Sequence, residues 1–115
     1  MFMENRFPSE YVQQASELFR LLSDRTRLGL LLLLAGGEQN VGQLCSKLDL
    51  PQPTVSHHLA LMRMSGLLSK RRNGKQMIYR VNPDMLGDLA DKFIKYMSED
   101  GHKVELNKFV LTLKA

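Results

Sequence analysis

The residues best suited to chemistry in this 115-residue chain are polar and basic, and they cluster between residues 40 and 82. This segment has seven Lys and Arg residues against one Asp, a net charge of +6, whereas the rest of the chain carries −2. Clustered basic side chains neutralise phosphates, and polar side chains on a helix can hydrogen-bond to base edges in a major groove about 12 Å wide. The segment therefore predicts noncovalent recognition of double-stranded DNA.

A helix from about Gln52 to Ser65 would present the polar groups, with Pro53 in its first turn and Gly66 as its stop. At 100° per residue, its inner face consists of Val55, Leu59 and Met62. The outer face of its first two turns is small and polar, as entry into a major groove requires. The residues predicted to lie near base edges are Gln52, Thr54, Ser56 and His57.

A basic hairpin follows this helix, with strands predicted over residues 67–71 and 76–81. The Asn73-Gly74 dipeptide favours a two-residue type I′ turn between them.

Upstream, Asn40 followed by Gln43 resembles a capping box and predicts another helix to about Leu48. Residues 40–65 thus read as a helix-turn-helix and residues 67–81 as its wing. The side chains predicted to hold phosphates are Arg63, Arg71, Arg72 and Lys75.

Cysteine and histidine residues of this segment have mainly structural interpretations. Cys45 shares an i, i+3, i+4, i+7 stripe with Leu44 and Leu48, which favours a small core residue over a reactive thiol. His57 faces outward and is predicted to contact DNA, whereas His58 lies nearer the inner face and is predicted to be half-buried and hydrogen-bonded. A metal site built from these two histidines is not expected, because adjacent helical residues diverge by about 100°.

Three further helices are predicted around this unit, at residues 9–22, 24–35 and 82–99. The second is apolar nearly all round, which is typical of a buried central helix. The first and last have apolar stripes, and a chain this short leaves them no sizeable core of their own. We therefore expect a homodimer in which residues 9–22 and 82–99 are dimerisation helices. The predicted interface residues are Val12, Ala15, Phe19, Leu86, Leu89, Phe93 and Met97. Residues 102–115 are predicted to be a weakly helical C-terminal extension.

Several functional classes are not expected from this sequence. The single cysteine indicates a reducing compartment, and the longest apolar run, at residues 28–35, is far shorter than the roughly 20 residues of a membrane helix. No signal peptide is visible, so we expect a cytoplasmic protein without a membrane partner. No nucleophile and base arrangement and no phosphate-binding glycine loop is present, so neither enzymatic activity nor a cofactor is expected.

The predicted fold is mainly α with a small β-hairpin, in the order α1-α2-α3-α4-β-β-α5, forming a single winged helix-turn-helix domain over residues 1–115. From about Ser9 to Ser98 the chain resembles the ArsR/SmtB family of small bacterial repressors. The resemblance is carried by the run QLCSKLDLPQPTVSHHLALMRMSGLLSKRRNGKQMIYRV. It implies a homodimeric repressor that binds a palindromic operator and leaves it when an inducer, often a metal ion, binds.

The sequence departs from the metal-sensing members of that family. Their Glu-Leu-Cys-Val-Cys-Asp-Leu stretch matches residues 38–44 here, where Asn40 and Gly42 replace the two cysteines. The family's other common site needs histidine in the last helix, and residues 82–99 contain none. Pro51 also stands where the family usually has a serine cap. No metal site is therefore predicted, and the sequence indicates no particular effector.

Two alternatives remain open on the sequence. A winged helix can also serve as a protein-interaction module. Such a module should have a neutral or apolar outer face on the helix at residues 52–65, whereas residues 40–82 carry a net charge of +6. A metal-responsive repressor could also use ligands outside the family pattern, such as His102 with Asp100 or Glu99.

Overall fold

The computed structural model describes residues 7–98, 103–106 and 109–112. Its helices are α1 (Ser9–Leu22), α2 (Arg25–Ala35), α3 (Val41–Leu48), α4 (Gln52–Met64) and α5 (Pro83–Met97). Its strands are β1 (Gln39–Asn40), β2 (Leu68–Asn73), β3 (Gln76–Val81), β4 (Lys103–Leu106) and β5 (Phe109–Thr112). The predicted winged helix-turn-helix order is confirmed, with the wing formed by β2 and β3. No helix in the described ranges is long and apolar enough to span a bilayer.

Side-chain caps explain where three of these helices begin. The Asp24 carboxylate accepts a hydrogen bond from the Arg27 amide at 3.0 Å at the start of α2. At the start of α3, Asn40 and Gln43 form the predicted capping box, with two reciprocal bonds of 2.8 Å. The Asn82 side chain caps α5 by accepting from the Asp84 amide. Each cap satisfies amides that have no partner within their helix.

The turn between α3 and α4 depends on one left-handed residue. Asp49 has φ 54° and ψ 50°, a conformation that Asp tolerates better than most non-glycine residues. The Leu50 amide then donates to the Cys45 carbonyl at 3.2 Å, which closes the end of α3 and redirects the chain. Pro51 is extended, and α4 begins at Gln52 as predicted, without a side-chain cap.

A single core joins all five helices and the wing. Leu30, Leu44 and Leu59 are fully buried at its centre, and α1 and α5 add Tyr11, Leu18 and Leu89 to the same core. The Tyr11 hydroxyl donates to the Leu89 carbonyl at 3.3 Å, which ties α1 to α5 within one chain. The expectation that these two helices lack a core of their own is therefore wrong, since each has a buried inner edge and an exposed apolar edge.

The prediction that α2 is buried all round is also wrong. Leu30 and Leu34 are buried, but Leu28 is 43% exposed and Leu32 is 66% exposed. Apolar composition on every side of a helix therefore did not indicate burial on every side.

The wing belongs to a three-stranded antiparallel sheet of order β1-β3-β2. β1 was not predicted; it pairs Gln39 with Tyr79. The wing turn also differs from the prediction, because Asn73 pairs with Gln76 and leaves Gly74-Lys75 as the loop. Gly74 has φ 64°, and Asp49 is the only non-glycine residue with positive φ in the described part of the chain. Positive φ at the first loop residue alone fits a type II′ turn and not type I′.

The predicted helix in the C-terminal extension is a hairpin instead. β4 and β5 pair antiparallel, with Lys103 opposite Thr112 and Leu106 opposite Phe109. The alternating apolar residues Phe109 and Leu111 fit this strand, whereas the competing helical spacing does not. The alternative ligands Glu99, Asp100 and His102 lie outside the described residues.

Candidate nucleic-acid interface

The two faces of α4 have opposite surroundings. Val55, Leu59 and Met62 are fully buried, as predicted for the inner face, and they fix the rotation of the helix against the core. On the other side, Gln52, Thr54, His57 and Arg63 are exposed, and Ser56 is partly buried at the flank. The helix therefore presents polar side chains to solvent from a rigidly packed backbone, which a surface that reads base edges requires.

His58 is half-buried and hydrogen-bonded, as predicted. Its Nδ1 lies 3.2 Å from Nη1 of Arg27 and 4.0 Å from a carboxylate oxygen of Asp24. Because a guanidinium is always a donor, Nδ1 of His58 accepts this hydrogen bond. The contact joins α4 to the start of α2. The rings of His57 and His58 lie 5.5 Å apart and edge to face, so His57 is supported from one side while it remains exposed.

The Asp24 carboxylate has a lowered pKa in this cluster. The hydrogen bond from the Arg27 amide is the largest cause of the lower pKa, and the positive charge of Arg27 acts in the same direction. Desolvation opposes this shift in pKa without reversing it. The ionised form of Asp24 is thus the form that caps α2 next to α4.

The wing divides its basic side chains between two faces. Successive strand residues point to opposite sides, so Arg71 shares a face with Ile78 while Arg72 shares the other face with Met77. Arg63, Arg72 and Lys75 are exposed, and none has a carboxylate within 4.0 Å in the part of the chain that the structure describes. These three side chains are placed to meet phosphates without giving up an internal partner.

Arg71 differs from these residues because Nη2 of its guanidinium donates to the Glu38 carboxylate at 2.7 Å. The hydrogen bond from Arg71 lowers the pKa of Glu38, and its acceptor carboxylate raises the pKa of Arg71. Sequence reasoning did not identify Glu38 as part of this surface. The sequence held no signal for this contact, because β1, which brings Glu38 beside the wing, was itself not predicted.

No group of three or more His, Cys, Asp or Glu side chains that could hold a metal ion is found among the described residues. Cys45 is partly buried and packs against the core, as its helical position predicted. The candidate functional surface therefore consists of the exposed polar and basic residues of α4 and the wing.

The residues predicted for a dimer interface fall into three groups. Phe19, Phe93 and Met97 are 58%, 38% and 46% exposed, and the Phe19 and Phe93 rings meet edge to face at 6.2 Å. Val12, Ala15 and Leu86 are partly buried against the core, and Leu89 is buried within it. The structure thus brings the two phenylalanines together on an exposed apolar face of α1 and α5, and it removes Leu89 from that face.

Comparison with known proteins points to one family. The family profile described as "Bacterial regulatory protein, arsR family" matches residues 24–70. The chain is 53% identical over 68 residues to the "Arsenical resistance operon repressor" of Escherichia coli K12, a match covering 58% of each protein. It is 30% identical over 93 residues to the "HTH-type transcriptional repressor SmtB" of Mycobacterium tuberculosis, which covers 81% of this chain and 69% of that protein.

A solved structure supports the same assignment. The homodimeric winged helix-turn-helix DNA-binding domain Mb0332 of Mycobacterium bovis superposes with a TM-score of 0.61 at 26% identity. The match covers 78% of this chain and 84% of that domain. Residues 24–70, which match the family profile, contain the caps of α2 and α3, the left-handed turn and the buried face of α4. The chain therefore belongs to the arsR family of bacterial regulatory proteins.

Proposed function

We propose that this protein is a homodimeric transcriptional repressor that acts in the cytoplasm, binds a palindromic DNA operator and has no enzymatic activity. The observation that carries the proposal is the exposed polar face of α4, held by three fully buried residues beside an exposed basic wing. An interaction module for an apolar protein partner would not need Arg63, Arg72 and Lys75 around that face, where they have no carboxylate partner among the described residues.

In the proposed complex, α4 of each subunit enters one major groove. Gln52, Thr54, Ser56 and His57 lie near base edges, while Arg63 and the wing residues Arg72 and Lys75 hold phosphates. The two half-sites are expected about one helical turn apart, roughly 10 bp, or a multiple of it.

The proposed dimer uses the exposed apolar face of α1 and α5. Phe19, Phe93 and Met97 leave a large apolar area in water on one chain, and a second copy of the same face would cover it. The Mycobacterium bovis domain of similar fold is described as homodimeric, which supports this arrangement.

The proposed repressor does not use the family's paired-cysteine metal switch. Asn40 caps α3 through its side chain and Gly42 has no side-chain donor, so neither position could replace a thiolate ligand. The alternative of a metal-responsive repressor has no group of three or more His, Cys, Asp or Glu side chains to support it among the described residues.

The proposal is tested by selecting bound DNA from a random pool and then measuring the affinity of the selected operator at increasing salt. With about 6 to 10 phosphate contacts per dimer, the affinity should fall by about 10³ to 10⁵ between 50 and 200 mM salt. A salt-independent affinity, or recovery of no enriched sequence, contradicts the proposal and leaves protein interaction as the function to pursue.

Two variants separate base reading from phosphate binding. His57→Ala should weaken binding to the operator by about 1 to 3 kcal/mol and relax preference at one base position, with little effect on random DNA. Arg72→Gln should weaken binding to both DNAs alike. Equal losses on operator and random DNA for His57→Ala would reject its reading role.

A further inference from the structure

One acidic side chain lies inside the basic wing surface, where it contacts an arginine predicted to bind phosphate. Glu38 precedes β1, and Arg71 lies in β2, so the two residues flank the central strand β3 from opposite sides. Their 2.7 Å contact spans that strand on the face of Ile78. Both side chains are accessible, with Arg71 53% and Glu38 44% exposed.

The surroundings of Glu38 are otherwise basic. Arg80 also faces this carboxylate and contributes to its lowered pKa, while Nε of Arg80 donates to the Ser69 hydroxyl at 3.2 Å. Lys70, Arg71 and Arg80 line the shallow cavity that Glu38 shares. Glu38 thus faces the cations Arg71 and Arg80 on this side of the sheet, and Arg71 is the cation that it contacts directly.

A DNA phosphate and the Glu38 carboxylate compete for the same guanidinium. The Nη2 donor of Arg71 that binds Glu38 is not available to a phosphate, and the adjacent carboxylate offsets the guanidinium charge. Phosphate binding by Arg71 would also leave the Glu38 charge close to the DNA backbone. The pair thus lowers the number of phosphates that the wing can neutralise, and this number sets the affinity that is independent of sequence.

We propose that Glu38 is a positioning residue that engages Arg71 internally and thereby limits the sequence-independent affinity of the wing for DNA. This inference rests on the proposed DNA-binding function. It separates two neighbouring arginines by role: Arg72 is available for phosphate, whereas Arg71 is held by the protein until Glu38 is removed.

The test uses the full chain and random-sequence duplex DNA, with affinity measured by fluorescence anisotropy across a salt series. Glu38→Gln should bind roughly tenfold more tightly at about 100 mM salt, and its log-log salt slope should steepen by about 1.8, since two arginines are released per dimer. Glu17→Gln is the matched control: it removes the same charge from an exposed residue of α1 and should leave the slope unchanged.

Arg71 variants identify the released group. Arg71→Gln should change the salt slope little in the native chain, but it should abolish the gain when combined with Glu38→Gln. An unchanged slope in Glu38→Gln overturns the inference. Weaker binding by that variant also overturns it, because the pair would then only brace the wing in a binding conformation.

The proposed function has its own readout in the same series. Arg72→Gln and Lys75→Gln should each reduce the slope by about 1.8 per dimer. If neither substitution changes the slope, the wing does not bind DNA and the proposed function fails. If both do while Glu38→Gln has no effect, only the inference about Glu38 fails.

Discussion

The helix-turn-helix and the α1–α5 pair are both built from amphipathic helices, but they differ in how much of their apolar surface is buried within one chain. In the first, Val55, Leu59 and Met62 are completely removed from water within one chain. In the second, Leu18 and Leu89 are buried while Phe19 and Phe93 stay exposed. Helix α4 therefore needs only its own chain for its position, whereas the apolar face of α1 and α5 is completed by a second copy in the proposed dimer.

This difference predicts that substitutions in the buried face of α4 and substitutions on the exposed face of α1 and α5 change different measured properties. A change in the buried face of α4 should lower the free energy of unfolding of each subunit. A change at the exposed α1–α5 face should leave the subunit folded and alter its association.

The largest expected effect is on folding. Leu59→Ala should lower the free energy of unfolding by about 2 to 5 kcal/mol, because it leaves a cavity at a fully buried position. Met64→Ala on the same helix is the control; at 78% exposure it should change the unfolding free energy by no more than about 0.5 kcal/mol. Urea denaturation measures both. Equal losses in the two variants would show that the buried and exposed faces of α4 contribute equally to the free energy of unfolding.

The second-largest expected effect is on dimerisation. Phe19→Asp should raise the dimer dissociation constant by roughly 10² to 10³, since loss of an aromatic anchor costs about 2 kcal/mol and a symmetric interface incurs it twice. Sedimentation equilibrium measures the change, and circular dichroism should show an unaltered fold. Leu32→Asp, at a 66% exposed position on α2, should leave the dimer intact. A Phe19→Asp chain that remains dimeric would remove α1 from the interface.

The smallest expected effect concerns the pH dependence at the junction of α2 and α4. The pKa of Asp24 lies below its usual value of 3.8, so its charge stabilises the folded chain above that pH and the contribution is lost as pH falls through the lowered pKa. Asp24→Asn keeps a capping oxygen but removes the charge. Thermal melting should therefore show a small loss of stability at about pH 7 that disappears near pH 2.

Asp24→Ala provides the contrast, because it removes the cap at every pH. It should be less stable than Asp24→Asn under both conditions. A loss of stability in Asp24→Asn that is the same at both pH values would show that the charge of Asp24 contributes nothing.

Local signals made most of the helices predictable. The α3 capping box and the Pro53 and Gly66 limits of α4 are decided by residues a few positions apart, and α1, α3 and α4 begin where predicted. The inner face of α4 followed from helical periodicity for the same reason. The turn type of the wing and the β4–β5 hairpin were mispredicted. Both depend on the register in which two strands pair, which neither a dipeptide nor a single spacing determines.

Caps, periodicity and charge are local properties, so the order of amino acids is enough to specify the winged helix-turn-helix, the outward polar face of α4 and the basic segment after residue 40. Tertiary structure alone decided that β1 joins the wing, that Leu89 is buried while Phe19 and Phe93 are exposed, and that Glu38 engages Arg71. These outcomes depend on contacts between residues far apart in the chain, including the 33 positions that separate Glu38 from Arg71. A charge count along the sequence treats Arg71 and Arg72 alike, whereas among the described residues only Arg71 has a carboxylate partner.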